Sequence, residues 1–251
     1  MYSKDDVFLV TGGSSGIGAA CSLKLNSQGA RVICLGRDAN KLNKLKECAE
    51  NENEFITGSF DFSDDLSGFQ KLVKNFVSEY GKIRGCVISS GMQNIEPLSM
   101  ITEKSASELI RINYLASLFV AKTFCDKRIH RSGNSSLVFI SSISSIRGYP
   151  GISNYSASKG ALNSLSRSLA SEMSREKVRV NSILFGLVKT EMIEKNNKVY
   201  SDEYLKELDN NYPLGIGSIE DAIGPILFLL SNESRWITGS ELIVDGGASL
   251  L

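Results

Sequence analysis

The sequence lacks the features that define membrane, secreted or nucleic-acid-binding proteins. Its 28 basic and 28 acidic side chains cancel, which argues against a nucleic-acid partner because a polyanion needs a basic face. The longest uninterrupted apolar run, Ile226–Leu230, is far shorter than the ~20 residues that cross a bilayer. No cationic segment followed by an apolar stretch begins the chain, so no signal peptide is predicted.

Cysteine, proline and histidine are also scarce, with five, four and one residues respectively. The cysteines form no CxxC pair and no cluster with histidine, which argues against a disulfide framework and against a metal site. We expect free, buried or half-buried thiols and a cytoplasmic location. The cysteines are Cys21, Cys34, Cys48, Cys86 and Cys125.

What is present is an average globular composition with an alternating pattern. Of the 251 residues, 42% are apolar and 22% charged, and no shift in composition divides residues 1–251 into two domains. Short apolar runs alternate with stretches of helical periodicity, which predicts a single Rossmann-type, doubly wound α/β domain: a seven-stranded parallel sheet with helices on both faces. The predicted strands are Val7–Val10, Val32–Leu35, Phe55–Thr57, Cys86–Ser89, Leu137–Ser141, Val178–Leu184 and Leu242–Val244.

Two of the predicted helices have a candidate N-cap. One apolar face runs from Leu66 to Tyr80 after Ser63, and another runs from Ala106 to Leu118 after Thr102. Serine and threonine at these positions accept a hydrogen bond from the first turn of a helix.

A glycine-rich turn follows the first predicted strand and opens a helix. Glycine lets the backbone turn sharply and approach a ligand, and the helix N-terminus offers N–H groups to a phosphate. The alternative is a Gly/Ser-rich loop with no ligand. The candidate binding residues are Gly12, Ser14, Ser15, Gly16, Ile17 and Gly18.

Tyr155 and Lys159 are spaced to share one face of a helix. A free tyrosine has a pKa near 10, so a base at neutral pH needs about 4 kcal/mol of preference for the phenolate. A neighbouring ammonium supplies charge of the right sign, and we expect the pKa of Tyr155 to be lowered.

Together these motifs resemble those of the short-chain dehydrogenases/reductases. The glycine turn follows that family's TGxxxGxG pattern at Thr11, Gly12, Gly16 and Gly18, and Tyr155 and Lys159 match its YxxxK. The resemblance implies hydride transfer between a nicotinamide cofactor and a ketone or secondary alcohol. It is nearest to the 3-oxoacyl-[acyl-carrier-protein] reductases, while related reductases act on sugars, steroids and small ketones.

The resemblance also implies a catalytic group of four. Tyr155 would donate and accept the proton, and Lys159 would lower its pKa and bind the ribose. Ser142, thirteen residues before Tyr155 and therefore preferred over Ser141, would orient the substrate carbonyl. The backbone carbonyl of Asn113 would hold a water in a proton relay. The alternatives are a turn serine at Ser142 and a helix-interior asparagine at Asn113.

Cofactor choice rests on the end of the second strand. Gly36 holds the place where NAD-dependent folds usually have an acidic residue, and Arg37 could pair with a 2′-phosphate. This predicts NADP(H) over NAD(H), with an exposed loop arginine as the alternative. By resemblance, the remaining cofactor contacts are Asp61 and Phe62 at the adenine, Ser90 and Gly91 after the fourth strand, and Gly186, Val188 and Thr190 at the nicotinamide.

Several expectations concern the whole protein. Residues 189–215 occupy the family's substrate-lid region, although a solvated helical face explains their charge equally well. Family members usually form tetramers, so we expect a homotetramer or homodimer with a small carbonyl or alcohol as its substrate. A non-catalytic NADP-binding sensor or scaffold is the competing function.

Overall fold

Seven parallel strands form one sheet in the computed structural model, which describes residues 2–191, 193 and 200–250. Their spatial order is β3-β2-β1-β4-β5-β6-β7. Every predicted strand and the predicted fold class are confirmed. The strands are β1 Val7–Thr11, β2 Arg31–Gly36, β3 Phe55–Ser59, β4 Ile83–Ile88, β5 Ser135–Ser142, β6 Val178–Phe185 and β7 Glu241–Val244.

Helices connect the strands and cover both faces of the sheet. They are α1 Gly16–Ser27, α2 Ala39–Glu47, α3 Phe69–Tyr80, α4 Glu103–Ile110, α5 Ala116–Phe124, α6 Ser153–Glu172, α7 Asp202–Asn211 and α8 Ile219–Leu230. A π-helical turn, Arg111–Leu115, joins α4 to α5. Within the described residues, no helix has the length and apolar content needed to cross a membrane.

Two hydrophobic cores result from the alternation of side chains along the buried strands. Leu9 of β1 packs on the face covered by α3, α5 and α6, whereas Phe8 and Val10 pack on the face covered by α1 and α8. Strands buried on both faces read as continuous apolar runs, which explains why their positions could be predicted.

The strand order reverses between β1 and β4, and this reversal creates the cleft described below. The chain moves outward from β1 through β2 to β3, and then returns to place β4 on the other side of β1. The connections leaving the carboxyl ends of β1 and β4 therefore diverge. A crevice at such a point is where doubly wound sheets bind their ligands.

One predicted cap is wrong and the other is confirmed. The helix expected after Ser63 begins only at Phe69, because the Ser63 N–H and hydroxyl both donate to Asp61 Oδ1, at 2.8 and 2.7 Å, and form a turn instead. Thr102 caps α4, with its Oγ1 accepting from the Ser105 N–H at 3.1 Å.

The cysteines are free thiols in three kinds of environment. Cys21, Cys34 and Cys86 are buried, Cys125 is half-buried, and Cys48 is exposed, which differs from the expectation of burial. Burial raises the pKa of Cys21 and Cys125 to about 12, and that of Cys34 to about 11.

Candidate active site

A cleft of about 670 Å³ opens at the carboxyl ends of the strands. It brings most of the predicted site residues to one surface. Gly18 and Asn113 are the exceptions, since both are buried behind the cleft wall. The residues brought together are Gly12, Ser14, Ser15, Gly16, Ile17, Arg37, Asp61, Phe62, Ser90, Gly91, Ser142, Tyr155, Lys159, Gly186, Val188 and Thr190.

The glycine turn has a backbone that only glycine adopts easily. Gly12 and Gly16 have φ of +66° and +54°. A Cβ on Gly12 would lie 2.5 Å from the Ser90 nitrogen, and one on Gly18 would collide with the Gly12 carbonyl oxygen. Gly18 therefore lets α1 pack against the turn.

The N-terminus of α1 faces the same cleft. Ser15 precedes the helix in an extended conformation, and its side chain makes no capping hydrogen bond. The first N–H groups of the helix thus remain available to a ligand, and the helix dipole favours an anion there. This turn fits a phosphate group.

Arg37 is exposed at the end of β2 and lines the cleft beside Ser14. It forms no ion pair with another residue of the described chain. A Cβ on Gly36 would lie 3.0 Å from the Ser14 side chain, so this position leaves little room for an acidic side chain. Asp38 is the N-cap of α2 and accepts from the Lys41 N–H at 3.0 Å.

Asp61 and Phe62 line the cleft in different ways. Asp61 is exposed, and hydrogen bonds from Ser63 hold its pKa below the ordinary value, with a smaller contribution from Arg37. The Phe62 ring is mostly buried, with its centroid 5.1 Å from that of Phe60. Phe62 therefore forms a firm apolar wall at this end of the cleft.

Ser142, Tyr155 and Lys159 meet where β5 ends beside α6. Lys159 Nζ lies 5.7 Å from the centroid of the Tyr155 ring and donates to the Ile140 carbonyl at 2.9 Å. Ser142 hydrogen-bonds to Tyr155, whereas Ser141 Oγ donates to the Lys159 carbonyl at 3.2 Å. Both serines line the cleft, and the Ser141 hydroxyl also ties β5 to α6.

The electrostatics of Tyr155 and Lys159 are dominated by burial. Burial raises the pKa of Tyr155 to about 12, against the opposing effect of its hydrogen bond with Ser142. Burial also lowers the pKa of Lys159 to about 8. The expected lowering of the tyrosine pKa is therefore absent from this structure, because desolvation penalises the phenolate more than its neighbours favour it. The arrangement keeps Tyr155 protonated at neutral pH.

Asn113 connects three elements from inside the π-helical turn. Its Oδ1 accepts from the Met92 N–H at 2.8 Å, and its Nδ2 donates to the Met92 carbonyl and to Ser158 Oγ, both at 2.9 Å. Its backbone carbonyl accepts from Ser117 Oγ at 2.7 Å. The side chain thus fixes the loop after β4 against α6.

The end of β4 is held to β1 by two hydrogen bonds. The Ser89 N–H donates to the Thr11 carbonyl at 3.2 Å, and the Thr11 and Ser90 hydroxyls are hydrogen-bonded at 3.2 Å. A Cβ on Gly91 would lie 3.5 Å from Lys159 Nζ. Gly91 therefore brings this backbone close to the lysine.

The loop after β6 crosses the cleft opposite the glycine turn. A Cβ on Gly186 would lie 2.9 Å from the Asp245 Cα, so the loop passes β7 at close range. Val188 forms a bridge with Gly217, and a Cβ on Gly16 would lie 3.6 Å from the Thr190 side chain.

The region predicted as a lid lies partly outside the described residues, at Met192 and at positions 194–199. Within its helix α7, Leu208 lines the cleft while Asp202 and Glu203 face solvent. Lys41 Nζ and Glu191 Oε2, 2.6 Å apart, join this region to α2.

Sequence reasoning missed Gln93 and Tyr149, which line the cleft beyond Tyr155. Tyr200, Tyr204 and Tyr212 line it as well, although the sequence suggested no particular role for them. No local motif marks these positions, because they meet only through the tertiary fold.

The fold and the cleft define a class: a nicotinamide-dependent oxidoreductase with a Ser-Tyr-Lys group at the end of a doubly wound sheet. A family model described as enoyl-(acyl carrier protein) reductase matches residues 12–249. The chain belongs to the short-chain dehydrogenase/reductase family, whose members act on CH–OH and C=O groups.

Known relatives match nearly the whole chain. A tropinone reductase homolog from Arabidopsis thaliana is 35% identical, over 96% of this chain and 90% of its own. The 3-oxoacyl-[acyl-carrier-protein] reductase of Thermotoga maritima is 31% identical, over 98% of this chain and 99% of its own. Among solved structures, a short-chain dehydrogenase/reductase from Mycobacterium ulcerans has a TM-score of 0.90 at 28% identity, covering 100% of this chain and 92% of its own.

Proposed function

We propose that the protein is an NADP(H)-dependent oxidoreductase that interconverts a ketone and a secondary alcohol. The observation that carries this proposal is the meeting of Ser142, Tyr155 and Lys159 in the same cleft as the glycine turn and Arg37. A non-catalytic sensor would need the glycine turn, but it would have no need of a half-buried tyrosine hydrogen-bonded to a serine.

The cleft offers a fitting set of groups for NADP(H). The N–H groups of the glycine turn and α1 would hold the pyrophosphate, and Arg37 with Ser14 would hold the 2′-phosphate. Lys159 would bind the ribose. Asp61 and Phe62 would contact the adenine, Ser90 and Gly91 would lie along the cofactor, and Gly186, Val188 and Thr190 would hold the carboxamide. The cofactor, when bound, supplies the hydride for reduction or accepts it in oxidation.

The chain's own residues would handle the oxygen and the proton. The Ser142 hydroxyl would donate a hydrogen bond to the substrate carbonyl oxygen and stabilise the charge that develops there. The Tyr155 phenol would donate its proton to the same oxygen. Asn113 would position this group, because its side chain holds α6 against the loop after β4.

Tyr155 carries its proton in the free protein, which is the form that reduction of a carbonyl needs. Burial raises the pKa of this phenol to about 12, so it is protonated at neutral pH. In the oxidation direction Tyr155 must first lose this proton. The Lys159 ammonium, 5.7 Å from the ring centroid, would supply part of the charge that favours the phenolate.

The relatives suggest two classes of substrate for this cleft. The reductase of Thermotoga maritima supports a 3-oxoacyl thioester, and the plant homolog supports a cyclic ketone. Residues 1–251 would act as one domain, with residues 189–215 covering the substrate. By analogy with the family we propose a cytoplasmic homotetramer or homodimer, and light scattering showing a monomer at micromolar concentration would contradict the assembly.

The replacement Tyr155→Phe tests the proposal. NADPH consumption is measured at 340 nm with a panel of ketones and 3-oxoacyl thioesters, and NADPH binding is measured by fluorescence. We expect the variant to bind NADPH as the native protein does and to lose about 10²- to 10⁴-fold in kcat, the usual contribution of a general acid. Binding of NADPH without turnover of any carbonyl by the native protein would instead support the sensor.

A further inference from the structure

Helix α6 carries a third polar side chain in line with Tyr155 and Lys159. Asn163 follows Lys159 by four residues, as Lys159 follows Tyr155, so the three lie on one face of the helix. Asn163 is buried, and burying an amide costs free energy unless its polar atoms are hydrogen-bonded. The proposed catalytic group of four does not include this residue. Its hydrogen-bond partners therefore indicate what it does at this depth.

The Asn163 amide connects the turn after β5 with β7, the last strand of the sheet. Its Nδ2 donates to Ser145 Oγ at 2.9 Å and to Glu241 Oε2 at 3.2 Å. A carboxylate only accepts hydrogen bonds, so the group that faces Glu241 is the NH₂ and not the amide oxygen. Arg167, one turn further along α6, forms an ion pair with the other carboxylate oxygen of Glu241. Glu241 thus fixes the orientation of the amide, and Arg167 holds Glu241.

Ser145 links this amide to the backbone of Ser142. Because Ser145 Oγ accepts from Asn163, its own hydrogen is directed elsewhere, and it donates to the Ser142 carbonyl at 2.6 Å. In the same turn, the Ser144 N–H donates to Ser142 Oγ at 3.2 Å. The Ser142 hydroxyl oxygen thus receives a hydrogen bond from its own turn, and its hydrogen is left for Tyr155 or for a substrate carbonyl.

We propose that Asn163 is a positioning residue that holds Ser142 in the geometry needed for the reduction of a carbonyl. It acts through Ser145, whose hydroxyl fixes the Ser142 carbonyl and with it the turn that orients the Ser142 side chain. This role rests on the proposed function and extends it beyond the catalytic group of four. A misplacement of about 1 Å at a reacting group can cost about 10²-fold in rate. The alternative is a purely structural role, in which Asn163 only holds α6 against β7.

A double-mutant cycle separates the two roles. The value of kcat is measured for the native protein, for Asn163→Ala, for Ser142→Ala and for the protein with both replacements. The probes are 1-tetralone, 4-chromanone and the N-acetylcysteamine thioester of acetoacetate, each with saturating NADPH. We expect Asn163→Ala to lower kcat about tenfold in the native protein, but less than about twofold in the Ser142→Ala protein, because a hydroxyl that is absent cannot be misplaced. The Kd for NADPH should change by less than about twofold, since Asn163 lies away from the glycine turn.

Ser145→Ala is a second and milder variant, because it removes one half-buried hydroxyl and leaves Asn163 in place. It should lower kcat about fivefold in the native protein and have no further effect beside Ser142→Ala. Asn26→Ala is the matched control. Asn26 is also buried, and its side chain joins α1 to Asn51 through two hydrogen bonds of 2.9 and 3.0 Å. This control should lower the free energy of unfolding and leave kcat within about twofold in either background.

Hydrogen exchange reports on the turn without any turnover. The peptide that contains residues 142–146 is followed by mass spectrometry in the absence of a carbonyl compound. The Ser144 N–H is protected by its hydrogen bond to Ser142 Oγ. We therefore expect Asn163→Ala to speed exchange in this peptide about tenfold, because the turn opens more often. Asn26→Ala should leave the exchange of this peptide unchanged.

Equal fold-losses of kcat in the native and Ser142→Ala backgrounds would overturn the positioning role, because they would show that Asn163 acts independently of Ser142. An unchanged kcat for Asn163→Ala, or unchanged exchange of residues 142–146, would overturn it as well. Turnover by the native protein is a separate result. If the native protein reduces none of the carbonyl probes, the proposed function fails, while the exchange measurement still decides whether Asn163 holds the turn.

Discussion

Arg37 is a single side chain on which the choice of cofactor rests. Its guanidinium is exposed in the cleft, while the preceding Gly36 leaves little room for the acidic residue that would bind an unphosphorylated ribose. Asp38, the nearest acid in sequence, already caps α2. The local arrangement thus supplies positive charge without a competing carboxylate at the end of β2.

Replacing Arg37 by alanine should weaken NADPH binding selectively. Loss of a charge-assisted, bidentate contact should raise the Kd for NADPH by about 10- to 100-fold, while the Kd for NADH changes by less than about twofold. Fluorescence titration of both cofactors measures the two values. Lys44→Ala, which removes an equal charge from α2, is the control. Equal weakening of both cofactors would contradict the assignment.

The residues that sequence reasoning found are those governed by local geometry. Glycines in a turn and a Tyr-Lys pair one helical turn apart are constrained by their own segment. The choice of Ser142 over Ser141 stays a prediction, although the two hydroxyls have different partners, because alternate residues of a strand point to opposite faces. Gln93 and Tyr149 were missed because their positions depend on how distant loops pack.

At the scale of secondary structure, the π-helical turn between α4 and α5 is the element that shapes the site. It buries Asn113 completely and directs the amide toward Met92 and Ser158. Such turns inside helices often occur at functional sites. The sequence shows an asparagine in an apolar helical stretch, but it does not show that this residue lies in a π-helical turn.

Replacing Asn113 by alanine should affect stability and activity together. Met92 N–H and carbonyl groups would lose their partners inside the protein, and we expect a loss of about 2 to 4 kcal/mol in the free energy of unfolding. Urea denaturation measures this value. Ser117→Ala, one turn further along, removes one buried hydrogen bond and should cost less than half as much. Equal losses would contradict the joining role of Asn113.

Element boundaries were predicted less well than element types. The strands and the Thr102 cap follow from apolar runs and capping chemistry, both of which are local. The helix expected after Ser63 begins later because Asp61 takes the Ser63 hydroxyl as a hydrogen-bond donor. Two neighbouring residues could each have formed a cap or a turn, and the packing of the chain selected the turn.

For the molecule as a whole, buried thiols make stability depend on pH in the alkaline range. The pKa of Cys125 is about 12 and that of Cys34 about 11, against an ordinary value of 9.0. The folded protein therefore retains protons that the unfolded chain releases, and the free energy of unfolding should fall as pH rises from about 9 to 11. Lys159, whose pKa is lowered to about 8, has the opposite effect on the free energy of unfolding, but it is one group against the two thiols.

The replacement Cys125→Ala should make this decline less steep, by about 1.4 kcal/mol per pH unit. Urea denaturation at a series of pH values between 9 and 11 measures the slope. Cys48→Ala, at an exposed position, should leave the slope unchanged and serves as the control. A Cys125→Ala slope identical to that of the native protein would contradict the account.

In the proposed reaction, a hydride from the bound cofactor reaches the carbonyl carbon while Tyr155 donates the proton. The most direct measurement supplies NADPH that carries deuterium at both C4 positions of the nicotinamide, together with 1-tetralone, 4-chromanone or an acetoacetyl thioester, and locates the label in the product by mass spectrometry. We predict that the native protein forms an alcohol with one deuterium on its carbinol carbon. Tyr155→Phe should form at least about 10²-fold less of this labelled alcohol. Bound cofactor with no labelled alcohol from any of these carbonyls, or undiminished labelling by Tyr155→Phe, would contradict the account.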